Sequence, residues 1–476
     1  MNDGVMTMKR RSFMVTALGT AMSIQTFARN VFIGGKDVSY EPDQPLESTG
    51  LSIEDGLKIL KKGEQGNVAP VLREEILDNP DAVFFIYADV QDRHNWDGRW
   101  NDCTDQFERL GKRVSDLIFR KGSSAGGRTF VKPNMVGSGL MSNPPVFNSG
   151  GVVHPYFTVG LVDGLRGIGN TNVAIAARGA MRHKHFVESG LMDLFNSHNL
   201  PLIEAHVQYF KDYKKSELRW FDNPNGIVQR RICAYRPVYD EGTTFINIAH
   251  AHVHKVGYTT LTIKNIMGTL PRGYGHTCDS WTHLDVWRKD LMDDFNRDFR
   301  VAIEQSYVKH ARMGYKYWDE GGFYQAYLSG GGYPAYRKNP DIADSRLFWA
   351  ELWAQRMMDT IEVLPKPYVN IVDGVFVRGD DSSGYNNIRH GNFITVGRSM
   401  VAVDAVTSWL MGHDPREIPY LRIASERGLG ENDIEKIPIF MLSEKGVERL
   451  RDYRLLKRTP AGIYIYGVED NGPRFL

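Results

Sequence analysis

Three histidines occupy alternate positions in the stretch HAHVHKVGYTTLTIKN, at His250, His252 and His254. If this stretch is a strand, side chains two residues apart point to the same side and lie about 7 Å apart. His252 and His254 could therefore bind one metal ion, with a third ligand from elsewhere, such as His276, His283 or Asp373. The alternative is a strand face on which the histidines are only hydrated or hydrogen-bonded.

The same stretch ends in Lys264 and Asn265, and Lys264 lies between apolar residues. A lysine in such surroundings either pairs with a carboxylate or has its pKa lowered by desolvation, as a nucleophilic or basic lysine requires. Asp404 raises the same question within the apolar helical pattern MVAVDAVTSWL. A buried carboxylate is normally paired, so Lys264 or Lys132 is its expected partner.

Further polar residues follow predicted strands. Lys132 and Asn134 come after RTFV, Lys264 and Asn265 come after LTI, and Asp373 comes after YVNIV. Ligands of open α/β sheets bind beyond the carboxyl ends of the strands, so we expect these residues to converge in one site. The predicted catalytic residues are Lys264, His254, Asp373 and Asp404; the predicted cofactor contacts are Lys132, Asn134 and Asn265; the predicted metal ligands are His252, His254 and His276.

The elements that position these residues are predicted by alternating patterns. Short runs rich in valine, isoleucine and phenylalanine, such as AVFFIYAD, RTFVKPN and TFINIAHAH, alternate from residue 82 onward with helical periods. Parallel strands need crossovers, usually helices, so this order predicts an α/β fold with a mostly parallel sheet flanked by helices. Residues 282–365 interrupt this pattern with helical spacing and many aromatic residues. These aromatic residues either pack against the core or form a lid over the site.

The predicted organisation has five parts. They are a signal peptide at 1–28, an N-terminal extension at 29–80, a first α/β half at 81–281, a helical, aromatic-rich insertion at 282–365 and a second α/β half at 366–476.

Composition excludes several classes of function. The 476 residues carry a formal net charge of +1, so no basic surface for nucleic acid is indicated. The three cysteines, Cys103, Cys233 and Cys278, are too few for a four-cysteine iron–sulfur cluster from this chain alone. No Walker motif is present, and the Gly-Ser-Ser-Ala-Gly match in GSSAGG precedes a predicted strand instead of opening a helix, as a nucleophile elbow would. These features argue against nucleotide-binding and serine-hydrolase functions.

The N-terminal stretch MKRRSFMVTALGTAMSIQTFA resembles a twin-arginine export signal. Arg10 and Arg11 precede an apolar run, and Thr26 and Ala28 are the small residues that a signal peptidase requires. The alternative is an ordinary amphipathic segment. The resemblance implies recognition by the twin-arginine translocation machinery, a periplasmic or extracellular location, and a protein that is soluble after signal cleavage. Substrates of that machinery cross the membrane folded, often with a cofactor already bound.

Six short motifs resemble the family of domain of unknown function 362, in the same order. They are VKPNMV, VVHPYFTVGLVDGLR, HVHKVGYTTLTIKNIMG, VNIVDGV, MVAVDAVTSWLMGHDP and ASERGLG. The family has no settled activity, and some members carry ferredoxin-like clusters for which this chain lacks the cysteines. This chain also has RGDDSSGYN where the family often has a glycine-rich segment. The spacing of His254 and Lys264 is similar to that in nickel-pincer lactate racemases, in which a lysine holds a modified nicotinate.

These patterns predict an exported enzyme that acts on a small-molecule ligand with a divalent transition metal or a metal-organic cofactor. One alternative is a periplasmic ligand-binding or accessory protein without catalysis. The other is a structural surface protein, in which the polar residues named above would be scattered.

Overall fold

A computed structural model of the chain describes residues 58–60, 66–91, 103–135, 152–177, 190–204, 215–226, 231–254, 257–270, 342–379 and 388–463. The strands in this part of the chain are β1 (Val68–Leu72), β2 (Val83–Tyr87), β3 (Phe119–Ala125), β4 (Arg128–Pro133), β5 (Val173–Ala177), β6 (Leu202–Glu204), β7 (Leu218–Asp222), β8 (Arg231–Tyr235), β9 (Thr243–His254), β10 (Tyr258–Thr260), β11 (Val369–Arg378), β12 (Ile388–Gly397), β13 (Ile439–Ser443) and β14 (Gly446–Arg449).

The helices are α1 (Glu74–Leu77), α2 (Thr104–Ile118), α3 (Pro155–Gly167), α4 (Leu191–Ser197), α5 (Arg236–Tyr239), α6 (Thr262–Asn265), α7 (Ile342–Val363), α8 (Met400–Leu410) and α9 (Pro419–Glu426). Short 3₁₀ turns are formed by Lys215–Glu217, Ile266–Thr269, Pro415–Glu417 and Tyr453–Leu455.

A ten-stranded sheet forms the centre of the described structure. Its spatial order is β14-β13-β2-β12-β11-β9-β4-β5-β6, and β10 pairs with β9 outside this order. Seven strands run in one direction, since β6, β5, β4, β9 and β11 are successively parallel and β2 and β13 share their direction through the antiparallel β12. The prediction of an α/β fold with a mostly parallel sheet is confirmed. Two further two-stranded sheets pair β1 with β3 and β7 with β8.

Each face of the sheet is covered by its own apolar cluster. In β9, Ala249 and Val253 belong to one cluster, and Ile246 and Ile248 belong to the other. Neighbouring side chains of a strand point to opposite faces. The intervening polar residues of the central strands are therefore divided between two faces.

Helices α2 and α3 pack closely through glycines. A Cβ atom at Gly160 would overlap the carbonyl oxygen of Glu108, and one at Gly111 would overlap the carbonyl oxygen of Phe157. The absence of side chains at these positions allows the two backbones to approach. This contact fixes α3, whose N-cap residue is His154.

One local prediction is wrong. The run LTI at 261–263 favours a strand that Lys264 and Asn265 follow. The structure instead ends β10 at Thr260 and forms the one-turn helix α6 from Thr262 to Asn265. Asp404 accepts hydrogen bonds from the first two backbone N–H groups of α6, so a contact distant in sequence overrides the local preference.

Helix α7 covers the last part of the predicted insertion at 282–365. Residues 282–341 of that insertion, the predicted signal peptide and His276 lie outside the described residues. The predicted domain boundaries stay predictions. Among the described helices, none combines the length and the apolar character needed to cross a membrane.

The glycine contact predicts a difference between two alanine substitutions in α3. Gly160→Ala should lower the free energy of unfolding by about 1–3 kcal/mol, because the new methyl group overlaps α2. Gly167 has no atom near its Cβ position, so Gly167→Ala should be neutral or should stabilise the helix by up to about 1 kcal/mol. Urea unfolding midpoints of the two variants measure this difference. Equal midpoints would contradict the packing of α2 against α3.

Candidate functional site

On one face of the sheet, a polar layer crosses three adjacent strands. Lys132 on β4, Asn247 on β9 and Asn370 on β11 are register partners, and all three are buried. The Asn247 amide donates to Asn370 Oδ1 over 2.9 Å and to the carbonyl oxygen of Thr262 over 3.0 Å. Neighbouring strands therefore hold these groups in one row, and the row contacts α6.

Asn265 fastens α6 to this row. Its amide nitrogen lies 2.7 Å from Asn247 Oδ1, 2.9 Å from the carbonyl oxygen of Ile248 and 3.2 Å from that of Lys132. Lys132 Nζ donates to Asn265 Oδ1 over 2.7 Å. The backbone N–H of Asn134 also donates to the carbonyl oxygen of Ile248. Lys132 and Asn265, both predicted cofactor contacts, thus bind each other directly.

Asp404 lies at the opposite end of α6 and is fully buried. Its Oδ1 accepts from the Thr262 N–H over 2.8 Å and from the Thr262 hydroxyl over 2.5 Å, and its Oδ2 accepts from the Ile263 N–H over 3.0 Å. The Tyr420 hydroxyl donates to Oδ2 over 3.4 Å. Within the described residues, Asp404 forms no ion pair with a lysine. Burial raises its pKa to about 7, although these hydrogen bonds act in the opposite direction.

The other face carries a second polar cluster around Asp373. The backbone N–H of His154 donates to Asp373 Oδ2 over 3.4 Å, and His250 Nδ1 lies 3.7 Å from the same oxygen. The ring of His154 stacks on Phe107 of α2 at 3.9 Å between centroids. Burial lowers the pKa of His154 to about 3, with an opposing effect from Asp373. His154 is therefore neutral at pH 7.

His250 is a second buried histidine of this cluster. It is only 3% exposed, and neither of its ring nitrogens forms a hydrogen bond with the residues that the structure describes. Buried polar side chains are usually hydrogen-bonded, and exceptions are often functional. Its ring stacks on that of His252 at 5.9 Å between centroids.

Hydrogen bonds assign opposite tautomers to His252 and His254. His252 Nδ1 lies 3.2 Å from the carbonyl oxygen of His250, which can only accept, so Nδ1 carries the proton and Nε2 has a lone pair. The Gly257 N–H donates to His254 Nδ1 over 3.1 Å, so the proton of a neutral His254 is on Nε2. His254 also stacks on Trp353. In this arrangement His252 can offer a nitrogen to a proton or a metal ion, whereas His254 can donate a proton.

Two positively charged residues, Lys264 and Arg378, affect the pKa of His252. Arg378 of β11 is its register partner on the neighbouring strand, and both Lys264 and Arg378 act on it electrostatically. Burial, His250 and then these two cations hold the pKa of His252 well below its usual range. His252 is therefore a neutral imidazole next to an ammonium and a guanidinium group.

The predicted site residues thus form two groups on opposite faces of the sheet. Lys132, Asn265 and Asp404 belong to the layer that holds α6, and Asp373 belongs to the cluster with His250. Near the carboxyl end of β9, the ring of His252 stacks on that of His250, and its register partner Thr260 lies two residues before α6.

The described residues do not supply a complete set of metal ligands. They contain no group of three or more histidine, cysteine, aspartate or glutamate side chains that could hold a metal ion. The third predicted ligand, His276, lies outside them.

Sequence reasoning missed four residues of the site. A polar residue inside an apolar strand pattern was the available signal for Asn247 in FINIA and Asn370 in YVNIV. A His-Pro pair that opens a helix was the signal for His154. Arg378 gave no comparable signal, because only the register of β11 against β9 brings it to His252.

The sequence model of one family, described as a domain of unknown function (DUF362), matches residues 129–409. This match covers more than half of the chain. The chain belongs to the DUF362 family. The matched range contains the site from Lys132 to Asp404 and excludes Tyr420. No curated protein matches the chain. No solved structure matches it either.

The environment of Asp404 predicts a pH-dependent effect of its removal. The raised pKa means that Asp404 contributes stability below its ordinary pKa of 3.8, and that this contribution is lost as the pH rises through about 7. Asp404→Asn does not titrate. The stability deficit of the variant should therefore be largest near pH 4 and should shrink by a few kcal/mol, on the order of 1.4 per pKa unit, toward pH 8.

Urea unfolding of both proteins at several pH values measures this deficit. Asp452→Asn is the control, because Asp452 is exposed and the hydrogen bond from Arg454 lowers its pKa, the opposite direction to Asp404. A deficit of Asp404→Asn that grows with rising pH would contradict the assignment.

Proposed function

We propose that this protein is an exported enzyme that converts a small molecule at the carboxyl end of β9. His250 and His252 exchange protons or coordinate a metal ion there, and Lys264 stabilises negative charge. Asp373 orients His250, and Asp404 acts indirectly by holding α6, which carries Lys264. The buried pair of His250 and Asp373 supports the catalytic role, and the N-terminal resemblance to an export signal supports the location.

The observation that carries this proposal is His250. An imidazole that is buried beside a carboxylate at 3.7 Å, without hydrogen bonds to the described residues, is costly for a fold to maintain. An aspartate next to one nitrogen of a histidine fixes the orientation of the ring for proton transfer at the other nitrogen. The position, beside the end of a central parallel strand, is where α/β sheets bind their ligands.

His252 supplies the second group of the proposed mechanism. Its Nε2 lone pair can accept a proton from a substrate or bind a metal ion. His254, with the proton on Nε2, is the complementary donor two residues along the strand. A base and an acid on one strand suit reactions in which a proton leaves one atom of the substrate and another returns, such as isomerisation or elimination.

A divalent transition metal or metal-organic cofactor remains part of the proposal. His250 and His252 could provide two nitrogen ligands, since their ring centroids are 5.9 Å apart. A catalytic site for zinc typically has three protein ligands, so at least one more would have to come from residues outside the described part, for which His276 is the candidate.

Export is tested by changing the twin arginines. Arg10→Lys with Arg11→Lys keeps the charge but removes the planar guanidinium groups. In a host with a twin-arginine system, we expect the unchanged protein in the periplasm and the double variant in the cytoplasm. Cell fractionation with immunoblotting measures this distribution. Equal amounts of both proteins in the periplasm would refute the twin-arginine route without affecting the proposed site.

Catalysis is tested with a small-molecule extract from the expression host. Purified full-length protein should consume at least one component over many turnovers, as measured by mass spectrometry. His250→Gln should reduce this rate by about 100-fold or more, because it removes an acid–base group. His413→Gln is the matched control, since His413 is also buried but bonds the carbonyl oxygen of Ala461 away from the site.

The same preparations decide the dependence on a metal. Elemental analysis should find a stoichiometric transition metal that is lost in His252→Ala and retained in His413→Gln. Depletion of one ligand molecule per protein, without product, would instead favour the periplasmic binding or accessory protein. Conversion by His250→Gln at the rate of the unchanged protein would refute the proposed role of His250.

A further inference from the structure

Lys264 is the third residue of α6, the short helix that follows β10. It is half-buried on α6, and within the described residues it forms no ion pair and no hydrogen bond. Exposed lysines need no partner, but a partly buried ammonium group loses hydration that a counter-charge normally replaces.

The two buried aspartates of the site are engaged by other groups. Asp404 accepts the N–H groups and the hydroxyl at the start of α6. Asp373 accepts the backbone N–H groups of His154 and Val375 and lies beside His250. Neither forms an ion pair with Lys264 in the described structure, so the ammonium is not neutralised by the protein's own acids there.

The position of Lys264 is fixed rather than adjustable. Asp404 holds one end of α6, and Asn265, the next residue, is bound to β4 and β9. Thr260 of β10 is the register partner of His252, and α6, which carries Lys264, begins two residues after Thr260. A fixed positive charge near the imidazole of His252 is suited to binding an anionic group next to a reacting atom.

We infer that Lys264 binds a carboxylate or phosphate group of the ligand, placing the adjacent part of that ligand against His252. The substrate of the proposed enzyme is then a small anion, such as an organic acid or a phosphate ester, rather than a neutral sugar or an amine. This inference names the substrate class and rests on the proposed function for its catalytic meaning. The binding of the anion itself does not require turnover.

The test compares trifluoroacetate with trifluoroacetamide, which have nearly the same shape and differ in charge. Fluorine NMR of each probe is recorded with purified full-length protein. Trifluoroacetate should bind at least about tenfold more tightly than the amide, as expected for a charge-assisted hydrogen bond. Lys264→Gln should lose about tenfold or more of the trifluoroacetate affinity, and Lys264→Arg should retain most of it.

Lys436→Gln is the control, because Lys436 is exposed and, within the described residues, pairs with Glu431 at 4.0 Å and Asp433 at 3.3 Å. Competition separates the two sources of the anion: displacement by inorganic phosphate supports a phosphate group, and displacement by acetate alone supports a carboxylate. Equal affinity of acid and amide, or unchanged affinity in Lys264→Gln, would overturn the inference. If Lys264→Gln does not fold, the affinities of the unchanged protein for trifluoroacetate and trifluoroacetamide still show whether it binds the anion selectively.

This experiment is independent of catalysis. Selective anion binding without any turnover of small molecules would reject the proposed enzyme but keep the anion site. Turnover of a neutral compound without selective anion binding would reject the anion site but keep the enzyme.

Discussion

The attachment of α6 to the centre of the sheet is the constraint on which the candidate site depends. Asn265 binds Lys132 and Asn247 on two neighbouring strands, and Asp404 accepts the N–H groups at the start of the helix. A four-residue helix cannot hold its own shape, because isolated turns cost more entropy than their few hydrogen bonds return. Its geometry is therefore set by buried polar contacts from β4, β9 and α8.

These contacts are costly to form and specific once formed. Lys132, Asn247, Asn370 and Asp404 are all buried, and each would be destabilising without its partner. A fully connected polar layer makes one register of the strands much better than a shifted one, since a shift by one residue would turn these groups to the other face. The same layer that fixes the register also fixes where Lys264 lies.

The two faces of the sheet carry different groups of the candidate site. The face with α6 supplies a rigid positive charge, and the face with α3 supplies the imidazole–carboxylate pair of His250 and Asp373. Packing of α2 on α3 holds His154 against Phe107 and brings its backbone N–H to Asp373. Near the end of β9, His252 stacks on His250 and pairs in register with Thr260, which lies two residues before α6. We propose that chemistry takes place at this meeting point.

The sequence by itself determined the α/β class, because the alternation of apolar runs and helical periods is a local property of the chain. It also determined the family, whose motifs are contiguous, and it singled out the polar residues that interrupt apolar patterns. It did not determine α6, since its β-branched residues locally favour a strand. It did not pair Asp404 with backbone N–H groups instead of a lysine, nor bring Arg378 to His252. Those outcomes depend on strand order, register and burial, which join residues more than a hundred positions apart, and such contacts exist only once the sheet has assembled.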